Sequence, residues 1–167
     1  PIDGKGPIAY DTEMPLYAVP VNPLKRRLIN EPLVLGVRSI DGLITIGKGQ
    51  RIGINAGSGV GKSVLMSMMC KHTDADVNVI ALIVERGREV TDFIEKVLVG
   101  EKRKKTIVVA STSDRSPIER MRGAFVATAI SEYFCNKGKN VLLMLDSLTR
   151  FAMAQREVGL TVGEPPT

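Results

Sequence analysis

Hydrophobic and polar positions along the 167-residue chain settle into a regular pattern only after about residue 50. Residues 1–23 hold five of the nine prolines and show no period. Proline lacks the N–H that helices and sheets use, so this stretch reads as an extended connector. From residue 24 to 49 the pattern is mixed. Leu33, Leu35, Val37, Ile40, Leu43 and Ile44 outline a partly amphipathic helical turn between Gly36 and Gly42. The core alternation then begins. Residues 51–54, 77–84, 106–110 and 141–145 are short runs, mostly apolar and rich in β-branched residues, and predict strands. Helical patterns fall between them. One ends near residue 72, and one covers about 90–99 with Phe93, Ile94, Val97 and Leu98 on one face. A longer one spans 117–136, and the last spans about 147–158. Pro117 suits a first helical turn, with Ser116 or Asp114 as its cap. Strands apolar on both faces, alternating with helices, predict an α/β fold whose parallel sheet is covered on both sides.

Composition narrows the class. Hydrophobic content is 44% and charged content 25%, ordinary for a globular protein. The length suits one domain with a real core. No apolar run is long enough to span a bilayer. Asp3, Lys5, Asp11 and Glu13 interrupt any signal-peptide layout, so a cytosolic setting is the default. Cys70 and Cys135 lack metal-ligand spacing and read as reduced, partly buried thiols. His72 is the sole histidine, which disfavours a zinc site and a Ser-His-Asp or Cys-His site. The net charge is +5, much of it at residues 25–27 and 102–105, both read as solvated loops. Aromatics make up 4% and none interrupts either basic run, so the stacking platform of a nucleic-acid binder is missing.

The strongest chemical signal is Ala56-Gly57-Ser58-Gly59-Val60-Gly61-Lys62-Ser63. It reads as a phosphate-binding loop. Glycines let the backbone close around a polyphosphate, and successive N–H groups point into the concavity. Lys62 supplies a point charge for the terminal phosphates, and Ser63 is suited to magnesium. The strict pattern has glycine where this chain has Ala56, a position that tolerates a small residue. The flanks fit: a β-rich run precedes the loop and a helical pattern follows, adding the positive end of a helix dipole. The nucleotide-binding set is then Gly57, Ser58, Gly59, Val60, Gly61, Lys62, Ser63 and Val64.

Two carboxylates close strand patterns. Asp146 follows the last one, where parallel sheets bind ligands and where nucleotide triphosphatases place an acid near magnesium. The other reading is a helix N-cap by Asp146 or Ser147. Glu85 closes the 77–84 run, within Glu85-Arg86-Gly87-Arg88-Glu89. There a carboxylate could polarise a water for in-line attack, with Arg86 near the phosphate. A surface ion-pair cluster among Glu85, Arg86, Arg88 and Glu89 fits the spacing equally well.

Taken together, the loop, then Glu85-Arg86-Gly87-Arg88-Glu89-Val90, then Leu145-Asp146-Ser147-Leu148-Thr149-Arg150-Phe151-Ala152, then Gly163-Glu164-Pro165-Pro166, resemble the ATPase of bacterial type III export. That family drives flagellar and injectisome secretion machines and is related to the rotary ATP synthase catalytic subunit. The likeness runs from about Asn22 to Thr167 and includes Asn22-Pro23-Leu24-Lys25-Arg26 and Asp41-Gly42-Leu43. Ala152-Met153-Ala154-Gln155-Arg156-Glu157 is closer to the flagellar branch.

The resemblance implies a RecA-like P-loop NTPase core, with a mostly parallel sheet flanked by helices and truncated at the C-terminus. It implies ATP hydrolysis powering export of flagellar proteins, with ATP and Mg2+. Glu85 takes the catalytic-carboxylate role, Arg86 an adjacent phosphate-sensing one, Lys62 and Ser63 the phosphate and magnesium, and Asp146 the magnesium shell. The family usually has glycine before the catalytic glutamate, and this chain has Val84. Residues 1–23 would be a linker from an N-terminal β-barrel domain, and 24–167 part of the P-loop ATPase domain. A later strand, the arginine finger and the adenine-stacking aromatic would lie outside the chain. A gap or an altered strand order beside the site, and weak or absent hydrolysis with no hexamer for the chain alone, are therefore expected. A homo-hexamer is implied, with export-apparatus, stator and chaperone–substrate partners and no nucleic acid. The implied location is cytoplasmic, peripheral to the inner-membrane export apparatus. The competing readings are an injectisome export ATPase, a rotary catalytic subunit, a non-hydrolysing nucleotide-binding module and a ring helicase. A glutamate rather than an amide at position 85 argues against the non-hydrolysing module.

Overall fold

Three parallel strands form the sheet in the computed structural model, which describes residues 6–7, 9–10, 12–57 and 59–166. They are β1 (Val77–Glu85), β2 (Thr106–Thr112) and β3 (Val141–Asp146), in spatial order β2-β1-β3. The helices are α1 (Arg38–Leu43), α2 (Lys62–His72), α3 (Gly87–Val97), α4 (Glu101–Lys104), α5 (Pro117–Asn136) and α6 (Leu148–Thr161), with a 3₁₀ turn at Pro23–Lys25. This is the α/β architecture that the alternating pattern predicts. No helix among the described residues is long and apolar enough to cross a membrane.

The most apolar strand is the central one. β1 is buried along most of its length because helices cover both faces. Its side chains sort by parity. Ile80 and Leu82 join Met144 against Met66, Met69 and Cys70 of α2 and Val90 and Val97 of α3. Val79, Ala81 and Ile83 face Ala124 and Ala127 of α5, with Phe151 of α6 alongside. The period-2 alternation of a strand produces these two half-cores.

α5 begins as its sequence predicts. Ser116 accepts from the Glu119 N–H and the Glu119 carboxylate accepts from the Ser116 N–H, a capping box with Pro117 in the first turn. Its buried stripe is Gly123, Ala124, Ala127 and Ser131, all small, so the helix lies close to the sheet. A Cβ on Gly123 would stand 3.1 Å from Ile83 Cδ1. The N-terminal part docks on the opposite face. The Asp41 carboxylate accepts from the N–H of Leu35 at 2.9 Å and of Gly36 at 2.8 Å. Gly36 has φ +72°, and a Cβ there would lie 2.1 Å from His72 Cβ. Residues 12–32 are exposed apart from the half-buried Leu16. Tyr17 nevertheless rests edge-on against Phe125, ring centres 5.0 Å apart.

Some expectations are corrected. Residues 51–54 form no strand. A strand exists through its ladder, and among the described residues no strand lies beside this run or pairs with the outer edge of β3. Only Ile54 of the run packs against the core, while Ile52 is exposed. The basic run at 102–105 is solvated but is not a plain loop. Its first three residues lie in α4, where Lys104 pairs with Glu101 at 2.7 Å. α3 starts at Gly87, three residues before its apolar periodicity, because its first turn is polar. Cys70 is fully buried and Cys135 exposed, so the pair is not uniformly half-buried.

Candidate active site

The phosphate-loop segment and the carboxyl ends of β1 and β3 enclose a cavity of about 510 Å³. The loop contributes Ala56, Gly57, Gly59 and Gly61, and the start of α2 contributes Lys62, Ser63 and Val64. The strand ends and the helices after them contribute Glu85, Glu89, Asp146 and Arg150. Gly59 at φ +77° and Gly61 at φ +101° hold backbone conformations that side-chain-bearing residues rarely adopt. Gly61 is the N-cap of α2 and offers no side-chain acceptor, so the first-turn N–H groups of α2 are open to a ligand. Ser58 lies outside the described residues. Val60 is exposed and does not border the cavity.

Asp146 ends β3 buried, and its carboxylate accepts a hydrogen bond from Lys62 Nζ. Capping of α6 falls to the next residue: Ser147 Oγ accepts from the Arg150 N–H at 3.3 Å. The Asp146 carboxylate is thereby left to the cavity. The Asp146–Ser147 peptide bond is cis.

Glu85 reaches the same cavity by a break in strand alternation. Ile83 pairs with Ser111 and Glu85 with Thr112, so Val84 is an unpaired bulge residue. Strict alternation would set Val84 beside Leu82 and turn Glu85 toward α5 and α6. Instead Val84 packs into the Val79–Ile83 half-core, and Glu85 borders a cavity with Leu82 and Asp146. Bulges re-aim side chains in this way. Val84 carries φ +63°, where a β-branched residue is strained by about 1–3 kcal/mol.

Burial pushes the Glu85 carboxyl above the usual carboxylate range. A hydrogen bond with Glu89 adds to this, against the opposing pull of Arg150. Glu89 is held below the usual carboxylate range, chiefly by that interaction with Glu85. Arg150 Nη1 donates to the Glu85 carboxylate and, at 2.9 Å, to the Val84 carbonyl. Arg86 is largely exposed, pairs with Glu89 at 3.7 Å and does not border the cavity.

The geometry thus joins Gly57, Gly59, Gly61, Lys62, Ser63, Val64, Glu85 and Asp146 at one cavity, and leaves Val60 and Arg86 at its margins. It adds Arg150, which spacing did not single out, and Glu89, which spacing offered only as a member of a surface ion-pair cluster. Arg150 stands four residues after Asp146, one turn into α6, and its target lies 66 residues away. Its only signal in the sequence was its place in the run after Asp146.

The chain spans 38% of the length of the curated relatives it matches most fully. It is 58% identical over 167 residues to a type 3 secretion system ATPase from Xanthomonas euvesicatoria, covering 100% of this chain and 38% of that protein. It is equally 58% identical over 171 residues to a flagellum-specific ATP synthase from Bacillus subtilis, again covering 100% and 38%. The assembled ATPase EscN of the enteropathogenic E. coli type III secretion system, solved with its central stalk EscO, superposes with a TM-score of 0.91 at 54% identity. That match covers 98% of this chain and 40% of the other. The sequence profile of the ATP synthase alpha/beta family, nucleotide-binding domain, matches residues 36–167, and the chain belongs to that family.

Proposed function

We propose that this chain is the nucleotide-binding core of an ATPase that powers export of flagellar proteins through a type III secretion apparatus. The convergence of Lys62, Asp146 and Glu85 on one glycine-lined cavity carries the reading. It joins a phosphate-binding cation, a metal-binding acid and a buried carboxylate at the carboxyl ends of parallel strands. The identities to flagellar and type III secretion ATPases support the export function. Ala152-Met153-Ala154-Gln155-Arg156-Glu157 supports the flagellar choice.

The loop amides and Lys62 hold the phosphates. Lys62 must leave Asp146 to do so, which frees that carboxylate as the phosphates arrive. The residues fit Mg2+: Ser63 and Asp146 border the same cavity, and no cluster of three His, Cys, Asp or Glu occurs among the described residues. Magnesium needs no protein cage, since it takes one or two carboxylates, substrate phosphates and water. Bound there, it would neutralise charge on the β- and γ-phosphates. Glu85 orients and polarises the attacking water, and burial, by raising its pKa above the usual carboxylate range, makes it a stronger base for that task. Arg86 is proposed as a phosphate-sensing residue, reaching the cavity only by leaving Glu89.

The relatives' greater length and the assembled state of the EscN ATPase support further parts of the proposal. Residues 1–23 link to a preceding β-barrel, and 24–167 belong to a larger P-loop ATPase domain. The whole protein works as a homo-hexamer in the cytoplasm, at the inner-membrane export apparatus, with stator and chaperone–substrate partners. ATP turnover by the full-length protein, measured against protein concentration, tests catalysis and assembly together. A concentration-dependent rise in specific activity is expected, and no turnover at any concentration would leave only a nucleotide-binding module.

A further inference from the structure

One guanidinium reaches two targets at the end of β1, and both lie at the bulge. Arg150 Nη1 binds the Val84 carbonyl at 2.9 Å and the Glu85 carboxylate beside it. Val84 is the residue whose φ of +63° makes the bulge. It is also the residue whose extra place in the ladder moves Glu85 from the α5–α6 face to the face of Leu82 and Asp146. A valine does not hold that φ unaided, because its branched Cβ crowds the backbone. If the turn relaxed to negative φ, alternation would resume and Glu85 would leave the cavity.

We propose that Arg150 is a positioning residue for Glu85: it clamps the Val84 bulge, and this clamp keeps the Glu85 carboxylate on the cavity face. α6 supplies the rigid base. Its first turn is anchored by the Ser147 cap on the Arg150 N–H itself, and Phe151 is seated against the sheet. The clamp rests on geometry alone. Its consequence for turnover rests on the reading of Glu85 as the catalytic carboxylate.

The test uses Arg150→Met, Val84→Gly and the double variant. By NMR on the full-length protein selectively labelled at valine, Val84 shows a strong intraresidue amide-to-Hα NOE, the mark of positive φ, and Arg150→Met weakens it. In the full-length protein Arg150→Met lowers ATP turnover by on the order of 10²-fold, the scale of a misplaced catalytic group. Adding Val84→Gly restores at least about tenfold, because glycine takes φ +63° without a clamp. Arg150 acting only by touching phosphate predicts no such rescue. Should Arg150→Met fail to fold, Arg150→Lys, which replaces the planar fork with a point charge, is read in the same way. Persistence of the Val84 NOE without the guanidinium, or absence of rescue by Val84→Gly, overturns the proposal. Normal turnover in Glu85→Gln would instead remove the catalytic reading of Glu85, and the NOE comparison would still decide the clamp.

Discussion

Lys62 and Asp146, 84 residues apart in sequence, form an ion pair across the floor of the candidate site. The cation proposed for phosphate and the acid proposed for metal thus neutralise each other. Asp146→Asn is expected to strengthen magnesium-free ATP binding by about two- to fivefold, since such a pair is worth up to about 1 kcal/mol. The same variant should lose the gain in affinity that Mg2+ gives. Calorimetric titration with and without the metal measures both, and an undiminished magnesium response would take Asp146 out of the metal shell.

Lys62→Ala removes the charge proposed to face the phosphates and spares the loop backbone. ATP affinity should fall about 10- to 100-fold, matching the 1.5–3 kcal/mol of a hydrogen bond to a charged group. The variant also leaves Asp146 buried without its partner, so the ligand-free chain should melt earlier. Wild-type affinity in Lys62→Ala would contradict the loop assignment.

The raised Glu85 carboxyl predicts a pH signature in stability. The groups facing it are Glu89 on α3, Asp146 on β3, Arg150 on α6 and Lys62 on α2. Because the folded state holds the Glu85 proton more tightly than the unfolded chain, this contribution is full below the ordinary glutamate range. It is lost as pH rises through the raised folded value. Glutamine mimics the protonated form, so Glu85→Gln should gain in melting temperature over the wild type as pH rises from 4 to 8. The depressed Glu89 acts in the opposite direction, contributing stability that is lost as pH falls. A difference independent of pH would mean that Glu85 titrates like a solvent carboxylate.

Gly36→Ala tests the docking of the N-terminal segment on α2. The added Cβ meets His72 Cβ at 2.1 Å on a backbone of φ +72°. Destabilisation of about 2–4 kcal/mol is expected from overpacking plus left-handed strain. Denaturant midpoints check it, and a loss under ~0.5 kcal/mol would show that this segment is not packed as described.

The helices were legible where the sequence states its own boundaries, as at Ser116, Pro117 and Glu119 around the start of α5. The strands of the sheet were legible because burial on both faces leaves unbroken apolar runs such as Val77–Glu85. Residues 51–54 share that chemistry but have no ladder neighbour, and composition cannot reveal a missing neighbour. That the glycine-rich loop and Asp146 line one cavity was legible because their signals are local in sequence. Glu85 was only half legible: its place at a strand end was plain, but alternation alone turns it away from the cavity. The bulge at Val84 reverses that, and a bulge belongs to the pairing of two strands. Arg150 was hidden for a similar reason, since its partners belong to β1 and its own sequence context belongs to α6.

Glu85→Gln in the full-length protein, with ATP binding and ATP turnover measured side by side, tests the central claim most directly. The amide keeps the size and can still accept a hydrogen bond, but it cannot serve as a base. Binding should stay within about twofold while turnover falls by 10²-fold or more, on the order of a general base's contribution. Turnover at the wild-type rate with binding intact would contradict the account and move the catalytic carboxylate away from Glu85.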